Sequence, residues 1–128
     1  MSFNSRSLPP QTPDESERNT EIRLSGCIVC WTYYRIKEPC EVHHLLSGGL
    51  RIGHLFTIGL CGFHHRGYGS PIRGPSLARG SKKFHEEFGA DQELLDLQNE
   101  RVSWPRTEIP QRRIRKQKKL TKVFRRVK

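Results

Sequence analysis

Two doublets with metal-ligand spacing, Cys27-x-x-Cys30 and Cys61-x-x-His64, constrain the fold of this chain more than anything else in it. Four cysteines in a reducing compartment point to metal before disulfides. Two thiolates three positions apart can face one ion together, leaving two tetrahedral positions that the second doublet, 31 positions after Cys30, can fill. Soft S₃N ligation suits Zn²⁺, and closed four-coordination makes such a site structural. A core of free cysteines is the plainer alternative, but two such pairs in so small a chain are harder to dismiss than one. Cys40 is the spare: a fourth ligand in place of His64, or an ordinary half-buried thiol.

The part of the chain that can be compact needs such a staple. Gly26 to Val102 spans 77 residues, and hydrophobic residues make up 34% of the whole. At roughly 70–80 residues a single core rarely supplies enough stability alone. Lys and Arg outnumber Asp and Glu by 23 to 13, yet from Met1 to Trp104 the signs balance at 12 each. Residues 105–128 carry 11 basic residues and one acidic, Glu108, and hence the whole net charge of +10. The sequence therefore predicts three parts: a polar disordered lead-in over 1–22, a neutral domain over 23–104 and a basic arm over 105–128. No apolar run approaches the roughly 18 residues of a membrane span, and Met1–Thr20 has no apolar segment of a secretory signal. A soluble, cytoplasmic protein is expected.

Within the domain, Cys27–Tyr34, Glu41–Leu46 and His54–Leu60 read as strand or knuckle segments. Ser47-Gly48-Gly49 supplies a turn through which the last two can pair as a hairpin. Gly67–Pro75 reads as loop. A helix is predicted from Ser81 as N-cap through Phe88, stopped by Gly89, and a second, capped by Asp91, through about Arg101. Leu94, Leu95 and Leu97 supply the apolar stripe of the second helix.

Five of the six histidines fall between His43 and His65. Neighbouring side chains on a strand point to opposite faces, so the doublet His43-His44 seldom serves one ion with both rings. One imidazole could face a metal while the other meets water or substrate. Likewise His64 could turn toward the structural ion and His65 toward a second. The plainer alternative leaves these histidines exposed or satisfied by hydrogen bonds.

The segments CIVC (from Cys27), CEVHHL (from Cys40), GHLFTIGLCGFHHRG (from Gly53) and KKFHEEFG (from Lys82) resemble an HNH (ββα-metal) endonuclease. More narrowly, they are similar to the phage Ref family of RecA-dependent nucleases, over Cys27 to Leu97. The resemblance implies an α+β fold: a small zinc-stapled ββα-metal (HNH) domain with flanking helices and disordered or extended tails. By position His44 matches the general base, and His43 and His65 match ligands of the catalytic divalent ion. Cys27, Cys30, Cys61 and His64 match structural zinc pairs. His54 lies near the middle position, usually Asn, that orients the base, about two residues from the commonest spacing. Relatives carry a further His where this chain has Ser76-Leu77-Ala78; His85 or water could stand in for it. The implied substrate is DNA, the implied partner a RecA filament on single-stranded DNA, and the implied setting recombination in a bacterial host cytoplasm, if phage-encoded.

The chemistry is coherent by itself. A neutral imidazole, with a pKa near 6.5, can take a proton from an attacking water. A divalent ion can act as Lewis acid on phosphate oxygens; Mg²⁺, Mn²⁺ and Zn²⁺ all remain open for that role. Arg66, Lys82 and Lys83 could hold phosphates or form a solvated basic face. In the arm, Arg112, Arg113, Arg115, Lys116, Lys118, Lys119, Arg125 and Arg126 are candidate DNA contacts whose affinity would fall steeply with salt. A solubility or localisation tail is the plainer reading, and a membrane-surface helix is disfavoured by its thin apolar face. A metal-dependent DNA endonuclease is thus the leading expectation, with neither membrane nor small-molecule cofactor. The rival is a non-catalytic, zinc-stapled DNA-binding module.

Overall fold

A computed structural model describes residues 8–47, 50–68 and 73–110. The chain runs through α1 (Pro13–Ser25), α2 (Ile28–Tyr34), β1 (Glu41–His44), β2 (Leu46–Ser47), β3 (Leu50–Arg51), β4 (Thr57–Leu60), α3 (Gly62–Arg66), α4 (Ser81–Phe88) and α5 (Asp91–Arg101). The fold is a small α+β arrangement of short strands and helices. The arm candidates Arg112, Arg113, Arg115, Lys116, Lys118, Lys119, Arg125 and Arg126, and the turn residues Gly48 and Gly49, lie outside the described residues.

Helix α1 stands over the later part of the lead-in expected to be disordered over 1–22, whose first seven residues lie outside the described residues. Thr12 Oγ1 accepts from the Glu15 backbone N–H at 3.2 Å, and the Glu15 carboxylate accepts from the Thr12 N–H at 2.9 Å. This reciprocal pair is a capping box, and Pro13 follows at the first helical position, where its missing N–H is harmless. The buried face of α1 is Arg18, Asn19 and Ile22. Arg18 is fully buried and donates to Asn99 Oδ1 at 2.6 Å, Thr57 O at 2.8 Å and Thr57 Oγ1 at 3.2 Å. Burial pulls its pKa down to about 10, so it stays charged at neutral pH. One arginine thereby ties α1 to both β4 and α5. Gly59 makes the close approach possible, because a Cβ there would lie 2.7 Å from Cys40 Sγ and 2.9 Å from Ile22.

The segment Cys27–Tyr34 resolves as a helix cap and helix, not a strand. Cys27 is the N-cap of α2, its Sγ accepting from the Cys30 N–H at 3.4 Å. The same device opens α3, where Cys61 Sγ accepts from the His64 N–H at 3.5 Å. Each cap turns the residue three positions on toward the side of the capping sulfur, which is why the ligand spacing is three.

β1 and β4 pair antiparallel, with Glu41 opposite Leu60, Val42 opposite Gly59, His43 opposite Ile58 and His44 opposite Thr57. The expected hairpin is therefore present, continued outward by Leu46 opposite Arg51 and Ser47 opposite Leu50. Its second strand begins at Thr57, three residues later than the apolar run suggests. Directly opposed residues share a face, so His43 lies on the face of Ile58 and His44 on the face of Thr57. α4 and α5 form over the expected residues, but their N-caps are Gly80 and Ala90, not Ser81 and Asp91. The Glu93 carboxylate accepts from the Ala90 N–H at 2.8 Å. Phe84, Phe88, Leu94 and Leu95 are buried against Ile28, Val29, Ile58 and Leu60, and Leu97 packs at the edge. Among the described residues no helix is long and apolar enough to cross a membrane.

Candidate metal centre and active site

The caps of α2 and α3 bring Cys27, Cys30, Cys61 and His64 together, all buried, with their ligand atoms within 4.8 Å of one another. Cys30 Sγ lies 3.8 Å from Cys61 Sγ, and His64 Nδ1 lies 3.7, 3.5 and 3.3 Å from the sulfurs of Cys27, Cys30 and Cys61. A tetrahedron with Zn–S near 2.3 Å and Zn–N near 2.05 Å has edges of about 3.8 Å between sulfurs and about 3.6 Å from sulfur to nitrogen. The set fits a tetrahedral ion of that size. His64 Nε2–H donates to the Arg73 carbonyl at 2.7 Å, which leaves Nδ1 as the ligand nitrogen. Arg73 also brings its guanidinium within 3.1 Å of Cys30 Sγ and bonds Glu38 at 2.9 Å. A cation there offsets the excess negative charge of three thiolates around a divalent ion. Mutual hydrogen bonds push the Cys27 thiol up and hold Cys61 well below its ordinary range. Burial alone would lower His64, but its contacts with Cys30 and Cys61 push it up to about 9. Cys40 is not in this cluster; its Sγ donates to Ile22 O at 3.4 Å, and burial pushes the thiol up to about 11. His64, not Cys40, is the fourth member.

The two histidine doublets separate as strand and helix geometry require. His43 Nδ1 lies 3.2 Å from His65 Nε2. His65 Nδ1 lies 2.7 Å from Glu41 Oε1, a carboxylate that also accepts from Arg66 Nε at 2.9 Å. These two hydrogen bonds hold the Glu41 carboxyl below its usual range, so it is ionised and can only accept. His65 therefore carries its proton on Nδ1 and turns the lone pair of Nε2 toward His43. Burial, and then the neighbouring His65, His44, His85 and Arg51, pull His43 down to about 4. His43 is neutral at cellular pH.

On the other face, His44 Nε2 lies 3.2 Å from His54 Nδ1, and His54 Nε2 lies 2.7 Å from the Pro9 carbonyl. A carbonyl only accepts, so His54 carries its proton on Nε2 and its Nδ1 accepts. His44 then donates from Nε2 and keeps the lone pair on Nδ1. Burial, followed by Arg51 and His54, lowers the His44 pKa. Thr57, opposite His44 in the hairpin, donates to His54 O at 3.2 Å and is itself held by Arg18.

His85 is not gathered into the His43–His65 pair. Its Nδ1 faces Gly89 O at 2.9 Å and its Nε2 faces Asp91 Oδ1 at 3.5 Å, closing the α4–α5 junction. Among the described residues, no third His, Cys, Asp or Glu completes a ligand group with His43 and His65. Arg66, Lys82 and Lys83 are exposed. The roles of Glu41, Arg73, Arg18 and Pro9 are not foreseen from the sequence. Only the α1 residues had a usable signal, the Thr12-Pro13-x-Glu15 start.

No curated protein matches the chain. A family model described as "Recombination enhancement, RecA-dependent nuclease" matches residues 11–103, which takes in α1 as well as the metal cluster and both histidine pairs. The match spans 93 of 128 residues, and the chain belongs to this family of RecA-dependent nucleases that act in recombination enhancement.

Proposed function

We propose that the chain is an HNH-type, metal-dependent DNA endonuclease. In this reading His44 is the general base, His54 holds it, His43 and His65 take a catalytic divalent ion, and the Cys₃His cluster holds structural zinc. The observation that carries it is the meeting of His43 Nδ1 and His65 Nε2 at 3.2 Å, one residue along β1 from a neutral His44 whose Nδ1 is unprotonated. Two nitrogens bound to one ion at about 2.1 Å sit roughly 3.0–3.4 Å apart, so the pair fits a shared ion. When bound, such an ion supplies Lewis acidity toward phosphate oxygens, whether Mg²⁺, Mn²⁺ or Zn²⁺.

The chain's own residues supply the remainder. His43 and His44 leave β1 from opposite faces, so a phosphodiester must straddle the end of the strand to meet both rings. His44 Nδ1 takes the proton of the attacking water, and the positive charge that forms is steadied through its Nε2–H bond to His54. Glu41 fixes the ring of His65. Arg66, Lys82 and Lys83 hold neighbouring phosphates, and the arm over 105–128 adds salt-sensitive, sequence-independent affinity. The family description supports a RecA filament on single-stranded DNA as partner, and that partner sets the work in a bacterial cytoplasm, of a phage host if the chain is phage-encoded.

A nicking assay tests the proposal, with supercoiled and single-stranded DNA, with and without Mg²⁺, RecA and ATP. Wild type is expected to cleave and His44→Ala to lose about 10²–10⁴-fold, with DNA binding and zinc content retained. Binding without cleavage by either protein overturns it in favour of a non-catalytic, zinc-stapled DNA-binding module. What favours that second reading is that, among the described residues, two ligand nitrogens meet at the proposed catalytic ion and no third side chain joins them.

A further inference from the structure

We propose that the cleft between α2 and α5 is a second nucleic-acid site, which takes one unstacked nucleotide of single-stranded DNA. The cleft holds about 400 Å³ and is lined by Ile28, Trp31 and Arg35 from the α2 side and by Leu97, Glu100 and Arg101 from α5. That volume lies within the range of small-ligand sites, roughly 300–1,000 Å³. The residues from the α2 side follow at i, i+3 and i+7, a stripe next to the one that carries Cys27 and Cys30. None of them takes part in the histidine site.

Its charge arrangement asks for an anion. The Arg101 guanidinium stands 4.0 Å from the centre of the Trp31 ring and that of Arg35 stands 5.3 Å from it. Two cations gathered on one indole repel each other, and neither is ion-paired to a carboxylate among the described residues. Arg101 donates to Ser25 O at 3.1 Å, while its Nε is buried with no hydrogen-bond partner. A phosphate on the outer sides of the two guanidiniums would relieve the repulsion. Arg35 sits in the left-handed region (φ 56°) as the C-cap of α2. Glycine is favoured at such a cap; here a side chain stands instead and folds over the indole.

The other walls separate a nucleotide from an acidic peptide. Trp31 and Leu97, both half-buried, offer an apolar and aromatic surface of the kind on which unpaired bases stack. Glu100 can accept from a base N–H. A base inside a duplex cannot enter, so the site selects single strands.

The test uses the full-length, ¹⁵N-labelled protein and follows the indole N–H resonances of Trp31 and Trp104, told apart with Trp31→Phe. Thymidine 5′-monophosphate, inorganic phosphate and a tetraglutamate peptide are titrated separately. A saturable shift of the Trp31 resonance is expected with the nucleotide, several-fold weaker with phosphate alone, with Trp104 unmoved. Arg35→Gln is expected to abolish it; Arg35 is exposed and caps α2 through its backbone, so the fold is retained. No Trp31 shift with the nucleotide overturns the proposal, and tighter binding of tetraglutamate reassigns the cleft to a protein partner. The readout does not involve cleavage, so its failure leaves the His44 assignment standing and a catalytically dead chain can still be scored.

Discussion

The Cys₃His cluster and the His43–His65 pair share one short helix, α3, through the neighbouring residues His64 and His65, yet they are built to opposite specifications. The first is closed: four ligand atoms, all on buried residues, with Arg73 set against the charge. The second is half-open: two nitrogens at 3.2 Å, one of them oriented by a carboxylate that is itself 44% exposed. A saturated, buried set can only hold an ion. A pair with open positions can share one with water and phosphate. His64 and His65 serve the two by turning in different directions from one turn of α3, so coordination number, not ligand type, separates staple from candidate catalytic site.

The contrast is most easily broken at the closed site. Cys61→Ser is expected to abolish cooperative thermal unfolding followed by circular dichroism and to lower bound zinc, since a structural zinc contributes on the order of 10 kcal/mol or more to folding. A protein that keeps its melting transition after this change would show that the cluster is not a staple. Glu41→Gln probes the open site. It keeps a hydrogen-bond acceptor for His65 but removes the charge, and is expected to weaken activation by Mg²⁺ or Mn²⁺ about 10–100-fold. The structural zinc content should not change; a parallel loss of zinc would mean that the two sites are not separable.

The legibility of the two sites also differed. The closed site could be read outright, because thiols at a spacing of three encode their geometry through the caps they form. The hairpin was legible for a related reason, its two apolar runs flanking Ser47-Gly48-Gly49. Helix α1 was not, because its buried face is Arg18, Asn19 and Ile22, which leaves no apolar period to detect. Glu41 and Pro9 escaped notice since their roles depend on which segments meet in space. His85 looked like a candidate ligand by composition, but its nitrogens are engaged at the α4–α5 junction.

Two smaller effects sharpen the picture further. Burial, Arg51 and His54 lower the His44 pKa below the ordinary imidazole value of about 6.5. In the proposed mechanism His44 acts as the neutral ring, so the acid limb of kcat/KM should fall below that value. Arg51→Gln should move it upward, and an inflection well above pH 6.5 would contradict the assignment. Thr12→Ala removes half of the capping box and should cost about 1 kcal/mol in urea unfolding, with zinc content unaffected. No loss of stability would indicate that α1 is held by Arg18 and Ile22 alone.

The cluster has one further consequence, for the unfolded chain. Cys30 and Cys61 bracket a stretch that contains His43, His44 and His54 and the whole hairpin. An ion gripping both ends closes a loop of about 30 residues, and a cross-link of that length removes chain entropy worth roughly 4 kcal/mol by the loop-closure relation. Holding an ion, the cluster would act as a reversible clasp. A chain stripped of its ion loses the clasp and the alignment of its histidines together, so zinc starvation should disarm the nuclease rather than leave it cutting without control.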